Sequence, residues 1–202
     1  MEKAVSASSR AGGIGRLVAR HPFLPALLIA LVLLALNGLY QPRSVSLVGL
    51  TGLTKTYMAL MLLAIAQTYV VYAGDIDLSV GAIVSLVNVV LVVLMDRWGG
   101  GGMSILAAMA AGLAVGIACG VVNGLVVAAL RLQAIVATFA TSIFFTGLAL
   151  WVLPVAGMPA PTAFWRTYGG RFLDVPFVFY AVVVLAVLLY LMAKLRLTTQ
   201  LL

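Results

Sequence analysis

Residues 62–95 read LLAIAQTYVVYAGDIDLSVGAIVSLVNVVLVVLM. Two apolar runs meet at a short acidic break. Asp75 and Asp77 are two of only five acidic residues in a chain of 202. A charge held at the centre of a bilayer costs at least about 2.5 kcal/mol, so their position needs a physical reason. Residues at i and i+2 do not share a helix face, which excludes a paired acid–base site on one helix. The segment Gly74-Asp75-Ile76-Asp77-Leu78-Ser79 instead reads as the end of one helix and the start of the next. Asp77 or Ser79 is suited to cap free N–H groups there. A carboxylate at that point also meets the positive end of the helix dipole. Two readings stay open: a water-facing cap at a helix junction, or an ionisable pair at depth on a transport pathway.

Composition supports membrane burial for the flanking runs. Hydrophobic residues make up 64% of the chain and charged residues 8%, whereas a soluble domain carries about a quarter charged residues. The net charge of +7 comes from singly scattered cations apart from one cluster: Lys3, Arg10, Arg16 and Arg20, opposed only by Glu2. That cluster precedes the first apolar run, as a cytoplasmic arm beside anionic lipid does. No basic stripe exists, so no nucleic-acid partner is expected. The single Cys119 cannot form an internal disulfide, and no zinc-type spacing accompanies it. It reads as a small buried apolar residue.

The charges divide the chain into six expected spans, at 22–40, 56–74, 78–95, 103–130, 134–153 and 176–193. The first is longer than the apolar core of a signal peptide, about 7–15 residues, and lacks a clear cleavage site. Residues 44–53 are apolar but too short to cross, and would lie at the interface or lead into the second span. The expected organisation is a basic cytoplasmic arm at 1–21, a transmembrane bundle at 22–193 and a cytoplasmic tail at 194–202. Lys3, Arg10, Arg16, Arg20, Arg131, Lys194 and Arg196 then fall inside, while Arg43, Lys55, Arg97, Arg166 and Arg171 fall outside. No internal repeat and no mirrored second half is visible.

The fourth span contains GLAVGIACGVVNG, residues 112–124. Gly112, Gly116, Gly120 and Gly124 recur every four residues, and Ala108 extends the row. Such a smooth stripe lets another helix approach closely. Asn123, beside it, is suited to bond across helices. Thr138, Thr141, Ser142 and Thr146 fall near one face of the fifth span. Their hydroxyls either bond the carbonyl one turn back or a neighbouring helix, or line a path for a polar, uncharged solute. Gln67 and Asn88 could join such a path. No phosphate-binding Gly-Lys-Ser/Thr loop occurs, and GGGG at 99–102 lacks a dinucleotide-loop setting and reads as a turn. No catalytic set or metal cluster appears, so neither enzymatic activity nor a cofactor is expected.

GDIDLSVGAIVSL, residues 74–86, resembles the Gly-Gly-Ile-Asp-Leu-Ser-Val-Gly signature of ribose-type permeases of ABC importers, with Gly81 as its closing glycine. VVNGLVVAALRLQAIVATFATSIFFTGLAL, residues 121–150, looks like the family's next block, with Asn123, Gly124, Thr138 and Gly147 in matching places. FWRTYGGRFLDVPFVFY, residues 164–180, is similar to the external loop leading into its sixth helix. Asp75 stands where the family has glycine, and Gln133 and Ala134 replace prolines. Family members run to roughly half again this length, so the chain resembles the N-terminal part of a permease. The region expected to dock the ATPase would then be missing.

The resemblance implies an all-α, polytopic inner-membrane permease with about six transmembrane helices, the bundle broken near Asp75–Asp77. One of those helices is expected to be the broken one. The resemblance also implies a second permease copy, a periplasmic binding protein that delivers a monosaccharide, and a separate ATPase. Two rivals stand beside it. One is an ion-coupled carrier in which Asp75 and Asp77 take protons or sodium. The other is a truncated permease that inserts without transporting.

Overall fold

A computed structural model of the protein describes residues 21, 23–155, 157–172, 175–176, 179–180, 182–183, 186–187 and 190. The expected arm, apart from His21, and the expected tail lie outside the described residues. The chain divides into two compact units, Met1–Thr56 and Tyr57–Leu202.

In the first unit, α1 spans Leu24–Tyr40, with a proline in its first turn where a missing N–H costs little. At 17 residues it is an apolar helix shorter than the four that are long enough to cross a membrane. A 3-10 turn at Pro42–Val45 follows. Ser46 then accepts the Gly49 N–H at 3.1 Å and donates to the Arg43 carbonyl at 2.6 Å, which starts α2, Leu47–Tyr72. A side chain on Gly49 would strike the carbonyls of Arg43 and Ser44. The expected short segment 44–53 is therefore the turn and first part of α2.

The second unit begins within α2 and continues through α3 (Val80–Arg97), α4 (Gly102–Leu130), α5 (Ala134–Val152) and the short α6 (Thr162–Tyr168). Two-residue strands β1 (Arg171–Phe172) and β2 (Val175–Pro176) pair antiparallel. α3 packs against both α4 and α5. Leu86, Cys119, Phe145 and Ala149 form one buried cluster between these helices. Met95, Ile105 and Ala108 form another, covered by Leu91, Leu94 and Phe164 of α6.

Glycines set two of the reversals. α2 ends where Gly74 takes φ +84°, and the Asp75 N–H closes back on the Val70 carbonyl at 3.1 Å. α3 ends in the same way: Gly99 and Gly100 have positive φ, and the Gly100 N–H reaches the Met95 carbonyl at 2.8 Å. The GGGG stretch is a turn, as its composition indicated. Arg131 takes the left-handed conformation at the end of α4, with φ 52°, a state side chains enter at a cost of about 1–2 kcal/mol.

α2, α3, α4 and α5 are each long and apolar enough to cross a membrane. Their outward faces carry large apolar side chains, among them Leu113, Ile117, Phe139 and Phe144. Water would not tolerate that surface, whereas lipid matches it. The protein is thus an all-α, polytopic membrane bundle. At about 1.5 Å per residue, the 29 residues of α4 reach roughly 44 Å, beyond a hydrocarbon core of about 30 Å. Of the expected sixth span, 179–180, 182–183, 186–187 and 190 are helical, and the remainder lies largely outside the described residues.

Candidate functional site

The break between α2 and α3 carries Asp75, Asp77 and Ser79 between two apolar helices. Its backbone leaves helical form after Tyr72 and resumes it at Val80. In an apolar bundle every N–H and C=O of such a segment needs a partner from the protein. Gln67 of α2, Thr138 of α5 and Asp77 within the break supply several of them, and Asn123 of α4 reaches the Ser79 hydroxyl.

Within the break, Asp77 Oδ1 accepts the Ser79 backbone N–H at 2.7 Å and the Ser79 hydroxyl at 2.6 Å. Asp77 thus closes a local turn onto Ser79, the residue that precedes α3, and caps none of the helix's own N–H groups, so the expected cap does not form. The Ser79 side chain makes no cap bond of its own. It is fully buried and receives the Asn123 Nδ2 donor of α4 at 2.6 Å. Thr138 of α5 accepts the Leu78 N–H at 3.0 Å and donates its own proton to the Ala134 carbonyl at 2.8 Å. From α2, Gln67 Nε2 donates to the Asp77 carbonyl at 3.3 Å.

The order of these bonds fixes their direction. Ser79 gives its only hydroxyl proton to Asp77, so it can only accept from Asn123. Asn123 must present its NH2 to Ser79, which turns Oδ1 elsewhere. That Oδ1 is buried and has no partner among the described residues, and the same holds for Gln67 Oε1. An unmet buried acceptor costs about 1–3 kcal/mol. Two open acceptors thus flank the break, one on α2 and one on α4. Gln67 also lines a cavity of about 510 Å3 along α2, with Ala64, Thr68, Val71 and Tyr72.

Several residues singled out in the sequence converge here: Gln67, Asp77, Ser79, Asn123 and Thr138. Others do not. Asp75, Ile76 and Leu78 are exposed, and so are Gly74 and Gly81. The Asp75 carboxylate makes no hydrogen bond or ion pair among the described residues. Asn88 points away from the bundle and is exposed. Thr141 is buried and bonds the Thr138 carbonyl at 3.2 Å. Ser142 and Thr146 bond carbonyls of their own helix, those of Phe139 and Ser142. The four hydroxyls of α5 accordingly divide between an inward pair and a pair turned outward.

The glycine row of α4 also divides. A Cβ at Gly112 would lie 2.8 Å from Leu91 Cδ2, and one at Gly116 would lie 3.7 Å from Val87. Gly120 and Gly124 have nothing within 4 Å. Only the N-terminal half of the row lies against α3. The pairing of the Leu78 N–H with Thr138 was not legible in the sequence, because the two lie 60 residues apart.

Residues 49–200 match a family described as branched-chain amino acid transport system / permease component. Among curated proteins, the autoinducer 2 import system permease protein LsrC of Escherichia coli O157:H7 is 33% identical over 141 residues, covering 67% of this chain and 39% of that protein. The protein of the same name from Yersinia pestis (strain Pestoides F) is 36% identical over 138 residues, covering 67% of this chain and 38% of that protein. The chain spans less than two fifths of the length of these curated relatives. No solved structure matches it.

Proposed function

We propose a function from one fact: the chain belongs to the family of branched-chain amino acid transport system permease components, matched over residues 49–200. It acts as the membrane-spanning permease subunit of an ABC importer for a monosaccharide of the ribose type. A second permease copy completes the translocation path, a periplasmic binding protein delivers the sugar, and a separate ATPase drives opening. The family match carries this reading. The relatives' names, which specify an import system, favour the inward direction.

The site supports the choice of solute. Its inward side chains are mostly uncharged amides and hydroxyls. The unpaired acceptors Gln67 Oε1 and Asn123 Oδ1, buried in this structure, would suit the hydroxyl donors of a sugar once the break opens, since a sugar needs hydrogen bonds and not counter-ions. Asp77 has a structural part, holding the break in register for gating, since its Oδ1 is engaged by Ser79. The protein lies in the bacterial inner membrane with its N-terminus in the cytoplasm, in keeping with the excess of Lys and Arg assigned to that side.

The test is uptake of labelled monosaccharides by cells carrying the chain together with an ATPase and a periplasmic binding protein from the same gene neighbourhood. Uptake is expected to require both partners and to vanish when the ATPase is inactivated. Uptake that persists without the ATPase and collapses with the proton or sodium gradient would overturn the proposal in favour of a carrier using Asp75 and Asp77.

A further inference from the structure

The far end of the second unit has a different chemistry from the break. α3 and α5 both start beside the break, where Leu78 meets Thr138, and they run together to the opposite end. There α3 finishes at Arg97 and α5 at Val152. All three tryptophans of the chain gather at this end. Trp98 follows α3, Trp151 lies in the last turn of α5, and Trp165 lies on α6 beside Phe164, which packs on Met95 and Ile105. Trp151 is 81% exposed. Tryptophans concentrate where a bilayer meets water.

A cavity of about 320 Å3 opens between the two helix ends, lined by Val90, Val93, Leu94 and Arg97 of α3 and by Trp151 and Val152 of α5. Its lining is aliphatic apart from Arg97 and Trp151. Arg97 is exposed, and its guanidinium makes no ion pair or hydrogen bond among the described residues, the adjacent Asp96 included. From Arg97 back to Val90 the wall descends about 10 Å along the helix, at 1.5 Å per residue.

We propose that this cavity binds one phospholipid molecule. Its phosphate pairs with the Arg97 guanidinium, whose planar fork suits phosphate oxygens. An acyl chain lies along Val90, Val93, Leu94 and Val152, and Trp151 packs at the level of the glycerol. An acidic protein partner would use the cation but leave the aliphatic wall empty. A sugar would find one polar group where it needs several.

The experiment uses the full chain purified in detergent, with bound lipid read by native mass spectrometry. The probes are dioleoylphosphatidylglycerol, dioleoylphosphatidylcholine and dioleoylglycerol, which has no phosphate. The two phospholipids are expected to be retained and dioleoylglycerol to be lost. Arg97→Gln should weaken retention by roughly fivefold, the factor for one cation near a lipid surface, while Arg97→Lys keeps most of it. Equal retention by the wild type and Arg97→Gln, or equal retention of dioleoylglycerol, overturns the proposal. Displacement of the lipid by inorganic phosphate also overturns it, because the site would then take phosphate alone. Should Arg97→Gln fail to elute as a single species, a photoactivatable phospholipid decides with the wild-type chain. Labelling of Val90–Leu94 or Trp151–Val152 supports the site. Labelling confined to other helices, or cross-linking of Arg97 to a protein in native membranes, sinks it.

Discussion

Asn123 of α4 donates to the hydroxyl of Ser79 across 2.6 Å, a bond between residues 44 positions apart. It joins the middle of the chain to the break that precedes α3. Both partners are buried, so neither can turn to water. The bond fixes where α3 begins relative to α4. Removing either group should therefore loosen the junction. Asn123→Ala and Ser79→Ala are each expected to cost about 1 kcal/mol, and the double mutant less than their sum by about 0.6 kcal/mol, the average found for hydrogen bonds between membrane helices. Unfolding in mixed micelles provides the double-mutant cycle. Strict additivity would mean that the bond contributes nothing.

The two carboxylates of the break have unequal surroundings. Asp77 Oδ1 accepts two hydrogen bonds from Ser79, whereas Asp75 is exposed. Asp77→Ala leaves a buried hydroxyl and an N–H short of an acceptor, and should lower stability by about 1–3 kcal/mol. Asp75→Ala should change it by no more than about 0.5 kcal/mol, as surface substitutions do. Expression level and melting temperature of the two variants check this; matching losses would refute it.

Thr138 serves the break through its hydroxyl alone. Thr138→Val keeps the shape but strands the Leu78 N–H, which it now accepts at 3.0 Å, at a cost of about 1–3 kcal/mol. Thr138→Ser should recover most of that loss. Amide hydrogen exchange at Leu78 reads the effect directly: faster in the valine variant and near the wild-type rate in the serine variant.

The glycines of α4 should respond differently to alanine. Gly112→Ala forces Leu91 aside, because the new carbon would sit 2.8 Å from it, and overpacking of this kind costs about 1–3 kcal/mol. Gly120→Ala meets no atom within 4 Å and should gain up to about 1 kcal/mol from helix propensity. Thermal unfolding of the two single variants separates the cases, and a loss at Gly120 as large as that at Gly112 would contradict the packing described.

What the sequence determined by itself was the class of molecule and the position of its break. A chain with 64% hydrophobic and 8% charged residues has too little polar surface for water, and apolar runs of helix length have one stable form in lipid. Gly74 and the GGGG turn were legible because left-handed backbone favours glycine locally. Tertiary structure alone decided which polar groups meet. Asn88 and Asn123 are the same residue type in similar apolar runs, yet one is exposed and the other buried against Ser79. Likewise Gly112 lies against α3 while Gly120 does not. The reason is geometric. A helix repeats its pattern whichever neighbour it finds, so periodicity can mark a face but cannot name the helix that packs on it.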